Sequence, residues 1–594
     1  MRFIRKGAVV LAVTAASALA LSACAGNGGG GGAKSSAPSG GSSAPVPSTA
    51  VPTSGAQHGG TLIYGSEQYP DNWNPAINAG NAVSTAWAEV QILPSPYIVN
   101  PRFDIIPDKN FNAEEPQITS QNPFTITYKI NPKAVWSDGQ PITSDDFKFQ
   151  WQTENPTDPL YGTKGGGCAS IASNMDKIKS ISGSDNNKTV TVVYKAPFPD
   201  WKLQLTTLLP AHLLKKATPK ATCTAFNAGW PATSPLAFSG GPWMMKSVNK
   251  TQQTFTETPN PKYWGPKPNL SQLIYKTIGS DAQTLQQDLQ NQEVQLIYPQ
   301  PQLDLIRLIS QLPDVQAQTS FGLSFEHIDF NVTNKFLKDV NLRRAIGMAI
   351  DRQGLVKATV GQFDSRAKVD NNRIFVNNQP GYKDNAPKQY DKADPAAAKK
   401  LLQQHGYTYS GSNLMAPHGL GHVALKIVTT SGNPLRAETE TLVKAQLATI
   451  GIAVTTVQRD ASIWFGDNTQ QGSLNAGDFD MGLYAWVASP LLTGNQSIYA
   501  CVPNNNRALG AQNSGLGCDK TVDQTIAKAV VTVPPDQQIA LWNQIDTQLW
   551  NDMFTLPLYQ KPTFIAYSKK YGNIADNASS TGPLWNSQLW YRKQ

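Results

Sequence analysis

Adjacent carboxylates at Asp145 and Asp146 are the first residues whose type could do acid–base chemistry. They follow Thr143 and Ser144, either of which can cap a helix, and a helix dipole favours acidic side chains in its first turn. The pair therefore has a structural explanation. A hydrolase that uses two cleft carboxylates stays open as an alternative, because such carboxylates need not be close in sequence.

Two histidines, His418 and His422, have the spacing of metal ligands on one face of a helix. The glycines between them disfavour that helix, and the chain contains six histidines in all. The sequence also has no Gly-x-Ser-x-Gly, no His-Glu-x-x-His, no Walker lysine and no dinucleotide-binding glycine pattern between a strand and a helix. We therefore predict no catalytic residue, no metal site and no cofactor.

The N-terminus has the composition of an export signal. A basic start precedes an apolar run over residues 8–21, as in a cleaved signal peptide. The run ends in Leu-Ser-Ala-Cys at residues 21–24, which resembles the lipobox of bacterial lipoproteins. The resemblance implies a lipid on Cys24 and an extracytoplasmic protein anchored to the outer face of the cytoplasmic membrane.

Residues 24–57 are mostly Gly, Ser, Pro and Ala. Such a segment has too few apolar side chains to form a core, so we predict a flexible, lipid-anchored linker. Flexible-chain scaling gives it a reach of about 30 Å.

Length and charge limit the remaining function classes. A chain of 594 residues exceeds the size of a single core, so two or three lobes are expected. The formal charge of +8 falls to 8 − 3 = +5 without the three basic residues of the signal. Lys and Arg are scattered along the chain, so we predict no nucleic-acid partner.

The four cysteines after Cys24 are Cys168, Cys223, Cys501 and Cys518. An even number in an exported chain favours disulfides, and four cysteines allow three pairings. We predict Cys168 with Cys223 and Cys501 with Cys518, because each bond closes a stretch rich in Gly, Asn or Ser. A metal site is the alternative, but no cysteine has a second ligand at the usual spacing.

A change of hydrophobic period marks the middle of the chain. Ile328, Phe330 and Val332 alternate with polar residues, as in a half-buried strand, whereas apolar residues from Leu342 to Ile350 recur at helical spacing. A strand that feeds a helix near mid-sequence fits a chain that leaves one lobe and enters another. Any strand–helix unit of an α/β protein is the alternative.

Several strings in the chain together resemble one family. The string from His327 to Asn331, with Asp351-Arg352 after it, is similar to a pattern of family 5 of the bacterial extracellular solute-binding proteins, which feed ABC importers. Trp-Ser-Asp-Gly-Gln-Pro at 136–141 and the Asp-Pro…Gly-Tyr helix at 394–407 also resemble that family. Leu556 to Tyr559 is similar to its return crossing.

The resemblance implies an α/β fold of the two-lobed periplasmic-binding-protein type, with a two-strand hinge (type II, cluster C) and an extra subdomain in the first lobe. We expect a signal peptide at 1–23, a linker at 24–57, lobe I at 58–100, 239–325 and 556–594, the extra subdomain at 101–238, and lobe II at 326–555.

The resemblance also implies the ligand site. The loop after the first strand would bring Glu67 and Tyr69 to the cleft, and the facing wall would comprise Trp464, Tyr484, Trp486 and Ser489. In peptide binders of the family an aspartate three residues after the tryptophan pairs with the peptide's amino group. Ser489 stands at that position and cannot supply the charge.

The expected function is capture of a solute between two closing lobes and its delivery to an ABC permease, by a monomer that is not an enzyme. Peptides are the first expectation. Oligosaccharides and other glycosides, opines, metal chelates and haem are the alternatives within the family, and a lipoprotein receptor or sensor is a further class.

Overall fold

The computed structural model describes residues 55–77, 79–170, 174–466, 471–487, 490–507 and 512–594. The predicted signal peptide, Cys24 and the linker up to residue 54 lie outside these residues. The folded part begins inside the predicted linker, because Ala56 and Gln57 pair with Lys593 and Arg592. The last two residues of the predicted linker are thus paired with the C-terminal strand.

The strands, in chain order, are β1 (Ala56–Gln57), β2 (Thr61–Ser66), β3 (Tyr97–Val99), β4 (Ile105–Pro107), β5 (Asn112–Gln121), β6 (Phe124–Ile130), β7 (Ile178–Ser184), β8 (Thr189–Tyr194), β9 (Trp243–Asn249), β10 (Thr254–Pro259), β11 (Gln272–Thr277), β12 (Leu296–Ile297), β13 (Val315–Phe330), β14 (Thr408–Ser410), β15 (Asn413–Ala416), β16 (Gly421–His422), β17 (Ala424–Thr430), β18 (Ala453–Arg459), β19 (Met481–Val487), β20 (Thr555–Ser568), β21 (Tyr571–Gly572) and β22 (Tyr591–Lys593).

The α-helices are α1 (Val83–Glu89), α2 (Ser144–Glu154), α3 (Ala211–Leu214), α4 (Pro219–Ala228), α5 (Ala282–Gln290), α6 (Leu303–Ser310), α7 (Val340–Ala349), α8 (Arg352–Ala358), α9 (Pro395–Gln404), α10 (Pro434–Ala448), α11 (Ala461–Trp464), α12 (Gln496–Tyr499), α13 (Lys520–Ala529) and α14 (Pro535–Asp552). Within the described part of the chain, none of them combines the length and apolar character that a membrane span requires.

One mixed sheet of ten strands connects the two lobes within the described residues, in the order β18-β17-β19-β13-β20-β12-β2-β11-β10-β9. The long strands β13 and β20 are antiparallel neighbours at its centre. Strands β12, β2, β11, β10 and β9 lie on one side of this pair and form the sheet of lobe I. Strands β19, β17 and β18 lie on the other side and form the sheet of lobe II.

The register of β13 and β20 shows where the chain changes lobe. Residues 315–321 pair with 562–568 on the lobe I side, and residues 325–329 pair with 555–560 on the lobe II side. The ladder is irregular between these segments, so the crossing lies at 322–324 in β13 and near Lys561 in β20. The predicted boundary at 325/326 is next to this irregularity, whereas the predicted return at 556 precedes it.

Strand β13 is buried on both faces in its lobe II half, not half-buried as its polar alternation predicts. Ile328 and Phe330 pack into the core of lobe II. The polar residues Glu326, His327 and Asp329 of the same segment are at most 8% exposed. These side chains have polar or aromatic partners in the interior, which is how the strand can bury them.

The extra subdomain is an antiparallel sheet in the order β5-β6-β8-β7, with α2 packed beside it. Thr143 caps α2 through the backbone N–H of Asp145, and Asp146 accepts the backbone N–H of Thr143 at 2.9 Å. Asp146 also accepts the N–H of Ala211 at 2.8 Å. Burial raises the pKa of Asp146 to about 6. These bonds give the carboxylate of Asp146 a structural role at the start of α2.

The described part of lobe II has a small apolar centre around Trp464 and two larger ones. One lies between the sheet and helices α7, α9 and α10, and the other lies between α13 and α14. The structure also contains both disulfides, Cys168–Cys223 with an S–S distance of 2.08 Å and Cys501–Cys518 with 2.06 Å. The first lies within the extra subdomain and the second within lobe II.

A buried ion pair fixes α14 to the start of β20. Arg373 and Asp546 are both fully buried, and Nη1 of Arg373 lies 3.1 Å from Oδ1 of Asp546. The same guanidinium donates from Nε and Nη2 to the carbonyl oxygen of Thr555, at 2.9 and 2.6 Å, and lies over the ring of Trp550. Each charge therefore has a compensating partner in the interior of lobe II.

Replacing Asp546 by Asn should destabilise lobe II by about 3–5 kcal/mol, because it leaves the Arg373 guanidinium buried without its counter-charge. Asp536→Asn is the matched control, since Asp536 is exposed in the first turn of the same helix, and its cost should stay below about 1 kcal/mol. Denaturant unfolding followed by tryptophan fluorescence measures both. Equal costs for the two variants would contradict the prediction.

A second buried pair, Glu89 and Glu257, consists of two acids. They are 2% and 0% exposed in the core of lobe I. Burial raises the pKa of both carboxyls, and the nearby charge of Glu257 raises that of Glu89 further. The folded protein therefore holds protons that the unfolded chain releases above its ordinary carboxyl pKa.

This linkage lowers the stability of the folded state as the pH rises above about 4.3, the pKa of an unfolded glutamate, toward the raised folded pKa. Glu257→Gln should therefore have a higher Tm than the wild type at pH 8 and nearly the same Tm near pH 4.5. Glu115→Gln, at an exposed position of β5, should leave Tm unchanged at both values. Calorimetric scans across this range test the prediction, and a lower Tm of Glu257→Gln at pH 8 would contradict it.

Candidate functional site

Strands β13 and β19 bring aromatic rings together where the lobes join. His327 pairs with Tyr484, and Phe325 pairs with Trp486. The centroid of the His327 ring lies 4.2 Å from that of Tyr484 and 5.9 Å from that of Trp486. Because residues two apart in a strand share a face, Tyr484 and Trp486 lie side by side, 5.4 Å between centroids. These residues form an aromatic cluster beside the crossing.

Tyr484 is held in place by a buried carboxylate. It is 1% exposed, and its hydroxyl donates to Asp329 at 2.5 Å. The hydroxyl of Thr555 donates to the other oxygen of Asp329 at 2.7 Å. Burial opposes ionisation of Asp329, but His327 and the two hydroxyls hold its pKa below the ordinary value. The predicted wall residue Tyr484 therefore orients its neighbours and exposes almost no surface itself.

Trp486 is half-buried and packs against residues from both lobes. Its neighbours belong to a small apolar cluster that contains Phe103 of lobe I with Phe325 and Val376. The indole N–H of Trp486 has no hydrogen-bond partner among the residues that the structure describes. Of the predicted aromatic wall residues that the structure describes, Trp486 thus combines a half-buried side chain with a position between the lobes.

Trp464 lies behind the wall and not on it. It is fully buried and packs with Val428, Leu474 and Phe479 next to Tyr484. Its contact with a ligand stays a prediction, and in this structure its side chain is part of this core. The aromatic type of Trp464 suits either position, and only the packing of α11 against β17 distinguishes them.

Glu67 and Tyr69 are on the loop after β2, as expected, but both make contacts within lobe I. The backbone N–H of Gln300 donates to Glu67 at 3.2 Å, and burial raises the pKa of the Glu67 carboxyl. The hydroxyl of Tyr69 donates to the carbonyl of Ala232 at 2.9 Å. No hydrogen bond or ring contact joins either residue to the aromatic cluster within the described ranges. Ser489 lies outside those ranges.

The lobes also touch away from the crossing. In the extra subdomain, Asp200 accepts the backbone N–H of Thr493 of lobe II at 3.2 Å, and it accepts the hydroxyl of the same residue. Val533 of lobe II packs against the core of lobe I. The two lobes are therefore also in contact through two segments that follow Trp486 along the chain.

Sequence reasoning did not select His327, Phe103 or Asp200 as site residues. The period of two could have found His327, since it places residues 325, 327 and 329 on the face opposite to Ile328 and Phe330. Phe103 has a positive φ of 65°, which no pattern in the sequence indicates. Asp200 is 293 residues from its partner Thr493, so local patterns contain no information on that contact.

A three-residue ion cluster adds charge at the crossing. Glu326 of β13 accepts a hydrogen bond from Nη2 of Arg436 at 3.0 Å, and it lies 3.4 Å from Nζ of Lys561 in β20. Burial opposes ionisation of Glu326, but the charges of Arg436 and Lys561 hold its pKa below the ordinary value. This Glu326–Arg436–Lys561 cluster connects both crossing strands to α10 of lobe II.

Comparison with known proteins identifies the family of this chain. The model of the bacterial extracellular solute-binding proteins, family 5 (middle region), matches residues 112–507. The oligopeptide-binding protein OppA of Mycobacterium tuberculosis is 27% identical over 525 residues, which cover 87% of this chain and 83% of OppA.

Two solved structures have the same fold. The periplasmic EDTA-binding protein EppA superposes with a TM-score of 0.82 at 26% identity, over 92% of this chain and 99% of EppA. The oligopeptide-binding protein AppA from Bacillus subtilis, in complex with a nonapeptide, gives 0.70 at 19% identity, over 91% and 100%. The predicted two-lobed α/β fold is confirmed, and the chain belongs to family 5 of the bacterial extracellular solute-binding proteins.

Proposed function

We propose that this protein captures a peptide between its two lobes and delivers it to an ABC importer. The aromatic cluster beside the crossing carries the proposal, because it lies where two lobes joined by two strands contact each other. Aromatic faces bind many side chains with little selectivity, and backbone groups can hold an extended peptide. The likeness to OppA over most of both chains supports a peptide as the solute.

The proposal includes how the protein works in the cell. It acts as a monomer, anchored by a lipid on Cys24 outside the cytoplasmic membrane, and its partner is the membrane-embedded permease of the importer. No reaction is catalysed, since binding and lobe closure suffice for delivery. Glu67 and Tyr69 of lobe I and Trp486 with Ser489 of lobe II are the proposed cleft residues.

A non-peptide solute such as a metal chelate is the second candidate. The likeness to EppA, whose name states that it binds EDTA, favours this candidate. Ser489 also favours it, because a serine hydroxyl cannot replace the aspartate charge that would pair with a peptide's amino group. The two candidates share the fold and differ in which groups of the solute are recognised.

Solute binding should raise the Tm of the full chain purified in mild detergent. At a free solute concentration 100 times Kd the folded state gains about 2.7 kcal/mol. Peptide mixtures and Fe(III)–EDTA are tested separately by thermal shift, with native mass spectrometry of the freshly purified protein to detect a retained solute. Only ligand-free mass, with no Tm change for any peptide mixture, would argue against peptides.

Trp486→Ala should weaken binding of the responding solute by about 10- to 100-fold, because truncation of a half-buried aromatic anchor costs roughly 1.5–3 kcal/mol. Trp264→Ala is the matched control. Trp264 is also half-buried, but its indole N–H donates to Asn110 within lobe I at 2.7 Å, so its loss should change Tm and not Kd. Isothermal calorimetry measures both, and an unchanged Kd for Trp486→Ala would remove Trp486 from the site.

Cys24→Ala should abolish incorporation of labelled palmitate and release the protein from the membrane fraction, since Cys24 is the proposed lipid acceptor. Ser22→Ala retains a small residue in the same string and should still be labelled. Label that persists in Cys24→Ala would refute the anchor.

A further inference from the structure

One lysine at the boundary between the lobes has no anionic partner. Lys202 lies in a 3₁₀ turn, Trp201–Leu203, and is 5% exposed. Its Nζ is 5.7 Å from the ring centroid of Tyr97 and 5.6 Å from that of Trp201. Within the described residues, no carboxylate lies at ion-pair distance from this ammonium and no hydrogen bond is formed by it.

Two other lysines, which are partly buried, are compensated. Lys561 lies 3.4 Å from Glu326. Lys188 donates to the backbone carbonyls of Ala134 and Ile142, each at 2.8 Å. Aromatic faces attract an ammonium, but they replace only part of the hydration that burial removes. Lys202 therefore differs from these two lysines in having neither a carboxylate nor a backbone carbonyl as a partner among the described residues.

The position of Lys202 is next to the contact between the lobes. Asp200, two residues earlier, bonds to Thr493 of lobe II. Thr493 belongs to the segment that follows β19, the strand that carries Trp486. Lys202 is thus two residues from the place where the extra subdomain contacts the chain that leaves the aromatic cluster.

We propose that Lys202 binds a carboxylate of the solute. A single ammonium matches one negative charge, whereas a phosphate usually requires several cations or backbone N–H groups. The carboxylate belongs either to the C-terminus of a peptide or to a chelator. This inference rests on the proposed solute-binding function and names the chemical group that selects the solute.

Three probes test the proposal: tetra-alanine with a free C-terminus, tetra-alanine with a C-terminal amide, and Fe(III)–EDTA. Each is titrated calorimetrically into the full chain, into Lys202→Met, which keeps the apolar stem, and into Lys202→Arg, which keeps the charge. Lys399→Met is the matched control, because Lys399 also lies over a tyrosine ring, 5.8 Å from Tyr409, but is exposed on α9.

We expect the wild type to bind at least one carboxylate probe, and Lys202→Met to bind that probe about tenfold or more weakly. If the probe is tetra-alanine, the wild type should prefer the acid to the amide, and Lys202→Met should lose this preference. A loss confined to Fe(III)–EDTA would identify the chelator as the source. Lys202→Arg and Lys399→Met should bind as the wild type does.

The assignment would be overturned if the wild type bound the free-acid and amidated forms of tetra-alanine equally well and did not bind Fe(III)–EDTA. This result is obtained with the wild type alone, so it does not depend on whether a variant folds. So would wild-type affinity of Lys202→Met for the carboxylate probe, or a wild type that binds none of the three probes. If the protein then bound a neutral oligosaccharide, it would still be a solute-binding protein, and only the role of Lys202 would be refuted. The two proposals can therefore fail separately.

Discussion

The antiparallel pairing of β13 with β20 is the interaction on which the two-lobed architecture depends. These strands hold the two halves of the central sheet together, and their ladder is irregular between Phe321 and Phe325. A ladder that is interrupted at one place bends there more easily than in its paired segments. The Glu326–Arg436–Lys561 cluster lies directly beside this place. A change in the angle between the lobes would therefore change the hydrogen bonds between β13 and β20 and the distances within this ion cluster.

Much of the framework could be predicted from the sequence because it depends on local chemistry. Asp394 caps α9, Pro395 is its first residue and Gly406 has a positive φ, all as these residue types require. The period change after Phe330 located one of the two crossing strands. Burial was harder to predict, since the polar residues of β13 acquire their partners from β19, β20 and α10, which are far away in sequence.

The site was predicted less completely than the fold. Tyr484 and Trp486 lie in the expected strand. The hydroxyl of Tyr484, however, is hydrogen-bonded to Asp329, and Trp464 packs in a core. An aromatic side chain suits a core as well as a cleft, so its type does not decide between them. The role of Asp200 depends on the contact between the two lobes, which no local pattern encodes. Proteins of this fold bind solutes as different as a nonapeptide and EDTA, so selectivity must reside in a few side chains.

Because of where the two disulfides lie, the rotation of one lobe relative to the other does not depend on whether the cysteines are oxidised. Cys168–Cys223 links two residues of the extra subdomain, and Cys501–Cys518 links two residues of lobe II. Neither disulfide joins one lobe to the other. Oxidation therefore stiffens the two bodies that must meet, including the segments near Asp200 and Thr493, and leaves their relative rotation unrestrained. A thiol reductant would make each lobe more flexible and would leave the two crossing strands unchanged.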